Sequence, residues 1–116
     1  MMDRPTGAQG VQPMRFEVLD EREDGRGWRF GVQAEPARTE LASVKPWFFD
    51  VRLAWADYNH WSADGTDEPA AVAVAVLRTL LETMPAAELR TRFDCSLIRR
   101  LLPDADERVS ANIGQQ

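Results

Sequence analysis

The chain has almost none of the residues that soft-ligand and redox chemistry use. Among 116 residues there is one cysteine, Cys95, and one histidine, His60. A lone thiol excludes an internal disulfide framework and fits a reducing cytoplasm, the expected location. Such a set is too small for a zinc site, which takes three or four nitrogen and sulfur ligands. No apolar run approaches the roughly 20 residues of a membrane-spanning helix. The start, Met1-Met2-Asp3-Arg4-Pro5, has no apolar signal core. A phosphate-cradling glycine loop, a GxSxG elbow and an HExxH pair are all missing. Lysine is nearly absent too, with Lys45 alone among 14 basic residues against 19 acidic ones. The net charge of −5 makes free nucleic acid and an anionic membrane poor partners.

What is present reads as one globular unit. The hydrophobic fraction of 44% is ordinary for a folded domain, and the length suits a single one. Residues 1–13 are without periodicity and are expected to form a disordered tail before a domain over 14–113. Met14 opens the first clear pattern and is a candidate start. Met14, Phe16 and Val18 alternate with Arg15 and Glu17, as in a half-buried strand. Trp28, Phe30, Val32 and Ala34 repeat the pattern. The charged run Asp20–Asp24 and the stretch from Gly25 to Gly27 are expected to be the loop of the resulting hairpin. Between Pro36 and Pro46, Thr39–Val44 reads as either an edge strand or a loop. Then Trp47, Phe49, Val51, Leu53 and Trp55 share one face of the strongest strand. Glu17, Arg29, Asp50 and Arg52 are expected to line a solvated face with weak cross-strand charge pairs.

The second half is helical. Asp67 is the expected cap of a helix over 68–83, with Pro69 in its first turn. Val72, Ala73, Val76, Leu77, Leu80, Leu81 and Met84 recur at helical spacing, and Arg78 and Glu82 lie four apart on the outer side. After Pro85 a turn leads to Asp94, the expected cap of a helix with Leu97, Ile98, Leu101 and Leu102 inward and Arg99 and Arg100 outward. Asp104 is expected to cap a last short helix carrying Val109 and Ile113. These elements imply a two-layer α+β fold. An antiparallel meander of three to four strands would carry the C-terminal helices on one face.

Function is concentrated, if anywhere, where the sheet hands over to the helices. Trp55, Asp57, Tyr58, His60 and Trp61 form the candidate binding segment, with Asn59 among them. Junctions of this kind often carry sites. The bland reading is that Tyr58 and Trp61 close the core and satisfy their polar tips there. Cys95, at a predicted helix start, could pair with His60 and Asp57 as a nucleophile set. A single cysteine beside Leu97 and Ile98 is more often a small core residue, and no nucleophile motif surrounds this one. Asp64, Asp67 and Glu68 miss the calcium-loop spacing. Arg90, Arg92, Arg99 and Arg100 form a basic cluster that could bind an acidic partner or a phosphate, though such arginines are more often a solvated helix face pairing with Glu88 or Asp104. No catalytic residue, cofactor or metal is assigned.

The segments Asp50–Trp61, Val72–Leu81 and Phe93–Arg100 resemble small uncharacterised bacterial proteins, a domain of unknown function common in GC-rich genomes. The resemblance spans roughly residues 14–105. It implies a compact domain and carries over no activity. The leading expectation is a non-enzymatic accessory domain that binds a protein partner. The competing one is a small-molecule binder or enzyme with a pocket near Asp57–Trp61.

Overall fold

A computed structural model describes residues 13–37 and 45–113. The first three strands are β1 (Met14–Glu23), β2 (Gly27–Pro36) and β3 (Trp47–Ala54). They form the expected antiparallel meander. The fourth strand corrects the expectation. β4 (Arg92–Asp94) pairs parallel with β3, so the sheet is mixed, in the order β1-β2-β3-β4. A parallel neighbour needs a crossover. Two helices supply it, α1 (Trp55–Trp61) and α2 (Pro69–Leu81). Thr39–Val44 and residues 1–12 lie outside the described residues. The fold is α+β, with the helices on one face of the sheet.

The hairpin is tighter than the charged run implies. β1 continues through Asp20–Glu23, and Asp24 N–H bonds the Gly27 carbonyl at 3.0 Å. Only Gly25 and Arg26 remain as the turn. Gly25 has φ +86°, which suits the first central position of a type II′ hairpin turn. Gly27 is required for a different reason. A Cβ there would lie 2.1 Å from the Leu53 carbonyl oxygen. Between Val18 and Asp20 the ladder slips by one residue, leaving Leu19 as a bulge.

Phe30, Val32 and Ala34 of β2 meet Phe49, Val51 and Leu53 of β3 on the buried face. α2 lies on that face and is buried along most of its circumference, from Val72 through Leu77 and again from Thr79 to Leu81. Its outer side also departs from expectation. Arg78 does not take Glu82 but lies over the Phe16 ring of β1, 4.9 Å from its centre. Glu82 instead accepts from Arg108 and Asn112. The helices α3 (Leu97–Leu101) and α4 (Ala105–Ile113) complete the layer, α4 packing on α2. Ile98 and Val109 are the fully buried residues of these two helices, whereas Leu101, expected inward, is exposed.

Two expected caps have other work. The Asp67 carboxylate accepts the Ser62 hydroxyl at 2.7 Å, and α2 has Glu68 at its N-cap position with no side-chain cap bond. Asp94 ends β4, where it accepts Arg52 and the Ser96 N–H. The solvated sheet face is as expected, a chain of ion pairs. Arg29 and Arg92 both reach Asp50, and Arg52 joins Asp24 to Asp94. Hydrogen bonds from the Arg52 side chain and the Arg26 N–H hold the Asp24 carboxyl below its ordinary range.

Candidate functional site

The segment singled out by sequence is a helix. The β3 alternation stops at Ala54, and Trp55 N–H bonds the Arg26 carbonyl at 2.9 Å as α1 begins. Trp55 is therefore not the last core residue of a strand. A helical pitch divides the candidate residues between two opposite faces. Trp55 and Tyr58 lie on one side. Asp57, His60 and Trp61 lie on the other.

On the first side the rings converge on Trp28 of β2. The Trp55 and Trp28 centroids are 6.2 Å apart with planes at 59°. Tyr58 meets Trp28 edge-on at 5.5 Å. The Tyr58 hydroxyl donates to the Asp67 carbonyl, so its polar tip is satisfied within the fold. Trp55 remains 47% exposed.

On the second side Asp106 of α4 collects three donors. The buried Trp61 indole N–H donates to its Oδ1 at 2.7 Å. Arg99 Nε donates to the same oxygen at 3.0 Å, and His60 Nε2 lies 3.0 Å from Oδ2. Arg99 also donates to Asp57 at 2.7 Å while its guanidinium lies over the Trp61 ring at 4.6 Å. Burial alone would raise the Asp106 carboxyl, but the bonds from Trp61, Arg99 and His60 outweigh it and hold the group below the ordinary carboxylate range. Burial likewise opposes the Arg99 charge, and Asp57 and Asp106 more than restore it. The network ties α1, α3 and α4 together.

Cys95 does not join His60. It is completely buried, and burial, with the Asp94 and Asp57 charges adding to it, pushes its thiol well above its ordinary value. A thiol so placed is not a thiolate nucleophile. The His60 ring instead faces Asp106. A shallow depression of about 200 Å³ opens at the other end of the sheet, lined by Arg15, Phe16, Glu17, Gln33 and Glu35. Among the described residues no group of three or more His, Cys, Asp or Glu could hold a metal ion. No helix among them is long and apolar enough to cross a membrane.

Three residues of this region carry no sequence signal that marks them. Arg99 reads as a solvated cation, Asp106 as a first-turn acid, and Trp28 as an ordinary strand residue. The one available clue is that the Trp61 indole and the His60 ring each need a polar partner. Comparisons with models of protein families, with curated proteins and with solved structures find no match to this chain.

Proposed function

We propose that the protein is a non-enzymatic interaction domain that engages a protein partner through the aromatic surface around Trp55. The observation that carries this reading is the exposure of Trp55, 47% at the head of α1, on a backing of Trp28 that is itself braced by Tyr58. A large ring held in place and left half in water is the kind of side chain that dominates binding at interfaces, because it loses little freedom on docking. The polar groups of the opposite α1 face support the same reading from the other direction. Asp57, His60 and Trp61 are engaged with Arg99 and Asp106 and serve to hold α1 in position. The lone buried thiol agrees with a cytoplasmic setting.

Affinity capture from source cells with wild-type protein and with Trp55→Ala tests this. A partner retained by the wild type and lost from a folded Trp55→Ala variant is expected. Equal retention by both proteins refutes the assignment of the surface.

A further inference from the structure

Beyond the bulge, β1 presents its side chains in an order that simple alternation from Met14 would not produce. Val18 pairs with Val32 on the helix-covered face, and Asp20 then pairs with Gly31 on the solvated face. Directly opposed residues share a face. Glu21, opposite Phe30, and Glu23, opposite Trp28, therefore point to the core side of the sheet. Asp20 and Arg22 point away from it and pair with each other at 3.2 Å. Both glutamates are exposed. Among the described residues no ion pair or hydrogen bond reaches Glu21 or Glu23, whereas Asp20 and Asp24 on the other side are paired. Two uncommitted carboxylates thus stand beside Trp28 and, through it, Trp55.

We propose that this acid-flanked aromatic surface docks an arginine- or lysine-rich segment of the protein partner, a proposal that rests on the interaction-domain reading above. Tryptophan faces attract cations, arginine most of all, and their flat apolar area accepts the methylene stems of the same side chains. Glu21 and Glu23 supply the countercharge, and the net charge of −5 steers a basic chain toward the surface. A second copy of this chain is disfavoured as the occupant. A two-fold contact through this patch would set the same carboxylates against one another.

The test is a titration of the full-length, 15N-labelled chain with a hexa-arginine peptide at about 50 mM salt, where charge contacts are only partly screened. The indole N–H signals of Trp28 and Trp55 are expected to shift while those of Trp47 and Trp61 stay. Glu21→Gln with Glu23→Gln is expected to weaken binding about fivefold or more. The charge-matched pair Glu17→Gln with Glu88→Gln, away from the rings, leaves it unchanged. If the two double variants weaken binding equally, the peptide is held by overall charge and the proposal is overturned. Static Trp28 and Trp55 signals overturn it as well. If a captured partner depends on Trp55 but binds Glu21→Gln/Glu23→Gln as tightly as wild type, the basic-segment proposal falls and the interaction reading stands. If neither variant affects capture, both fall.

Discussion

Replacing Asp106 with alanine removes the acceptor on which three helices converge. The largest consequence falls on Trp61, whose indole N–H lies in a side chain only 5% exposed. Leaving a buried donor without a partner costs about 1–3 kcal/mol. Asp106 also lies in the first turn of α4. A negative charge there contributes about 0.3–1 kcal/mol through the helix dipole. The His60 contact is half in water and adds only tenths. Arg99 keeps Asp57 as a partner, so its charge is not orphaned. The expected loss for Asp106→Ala is therefore about 2–3 kcal/mol, or on the order of 10–20 °C in Tm. Asp106→Asn retains an oxygen that can accept the indole N–H and is expected to lose about 1 kcal/mol. Urea unfolding followed by circular dichroism and tryptophan fluorescence measures both, with an unchanged m-value showing that the folded state is intact. A double-mutant cycle with Trp61→Phe isolates the shared bond, and coupling of about 1–2 kcal/mol is expected. Additive losses, or an Asp106→Ala variant within about 0.5 kcal/mol of wild type, would refute the assignment of Asp106 as the Trp61 acceptor.

Gly27→Ala forces a methyl group against the Leu53 carbonyl, which is backbone and cannot turn aside; a loss of about 2–3 kcal/mol is expected by chemical denaturation, and a neutral result contradicts the close approach. Cys95 should resist iodoacetamide in the native state and react at the rate of unfolding, since it is fully buried with a raised thiol; rapid native labelling contradicts its burial. Asp106 and Asp24 are both held below the ordinary carboxylate range when folded. The folded state therefore binds fewer protons than the unfolded chain at these positions, and their stabilisation is complete above the unfolded value and lost as pH falls through the folded ones. Urea midpoints should drop on acidification below about pH 4, less steeply in Asp106→Asn; identical pH slopes for the two proteins contradict the linkage.

The elements most legible in sequence are those whose burial is one-sided. β2 and β3 alternate because helices cover a single face; α2, buried along most of its circumference, is legible instead from the length of its apolar run. The features that escaped are ones whose local pattern has two physical readings. Trp55 continues the two-residue period of β3, yet the chain turns helical there, since a period ends without a signal when no cap residue follows. β4 is three residues long and owes its existence to the edge of β3 rather than to its own propensity. Asp67 and Asp94 have the chemistry of caps, but Asp67 accepts the Ser62 hydroxyl, and Asp94, at the end of β4, bonds Arg52 with one oxygen and the Ser96 N–H with the other. Of the candidate site, the segment itself was visible, as the only cluster of polar and aromatic groups at an element junction. Its division into an exposed aromatic side and an internally bonded side follows from helical pitch, which the two-residue period running through Trp55 hides. Arg99 and Asp106 come from elements 38 and 45 positions beyond Trp61, and their partnership is purely tertiary.

The bulge at Leu19 gives the edge strand a degree of freedom that composition does not record. Deleting Leu19 would leave every pair from Asp20↔Gly31 to Glu23↔Trp28 as it is. Sliding the supernumerary residue toward the hairpin tip would not. Each position it passed would change sides, bringing Asp20 to the aromatic side and sending Glu21 to the other. The sign pattern beside Trp28 is thus set by where one spare residue parks along the ladder, and it can be rewritten without altering a letter of the sequence.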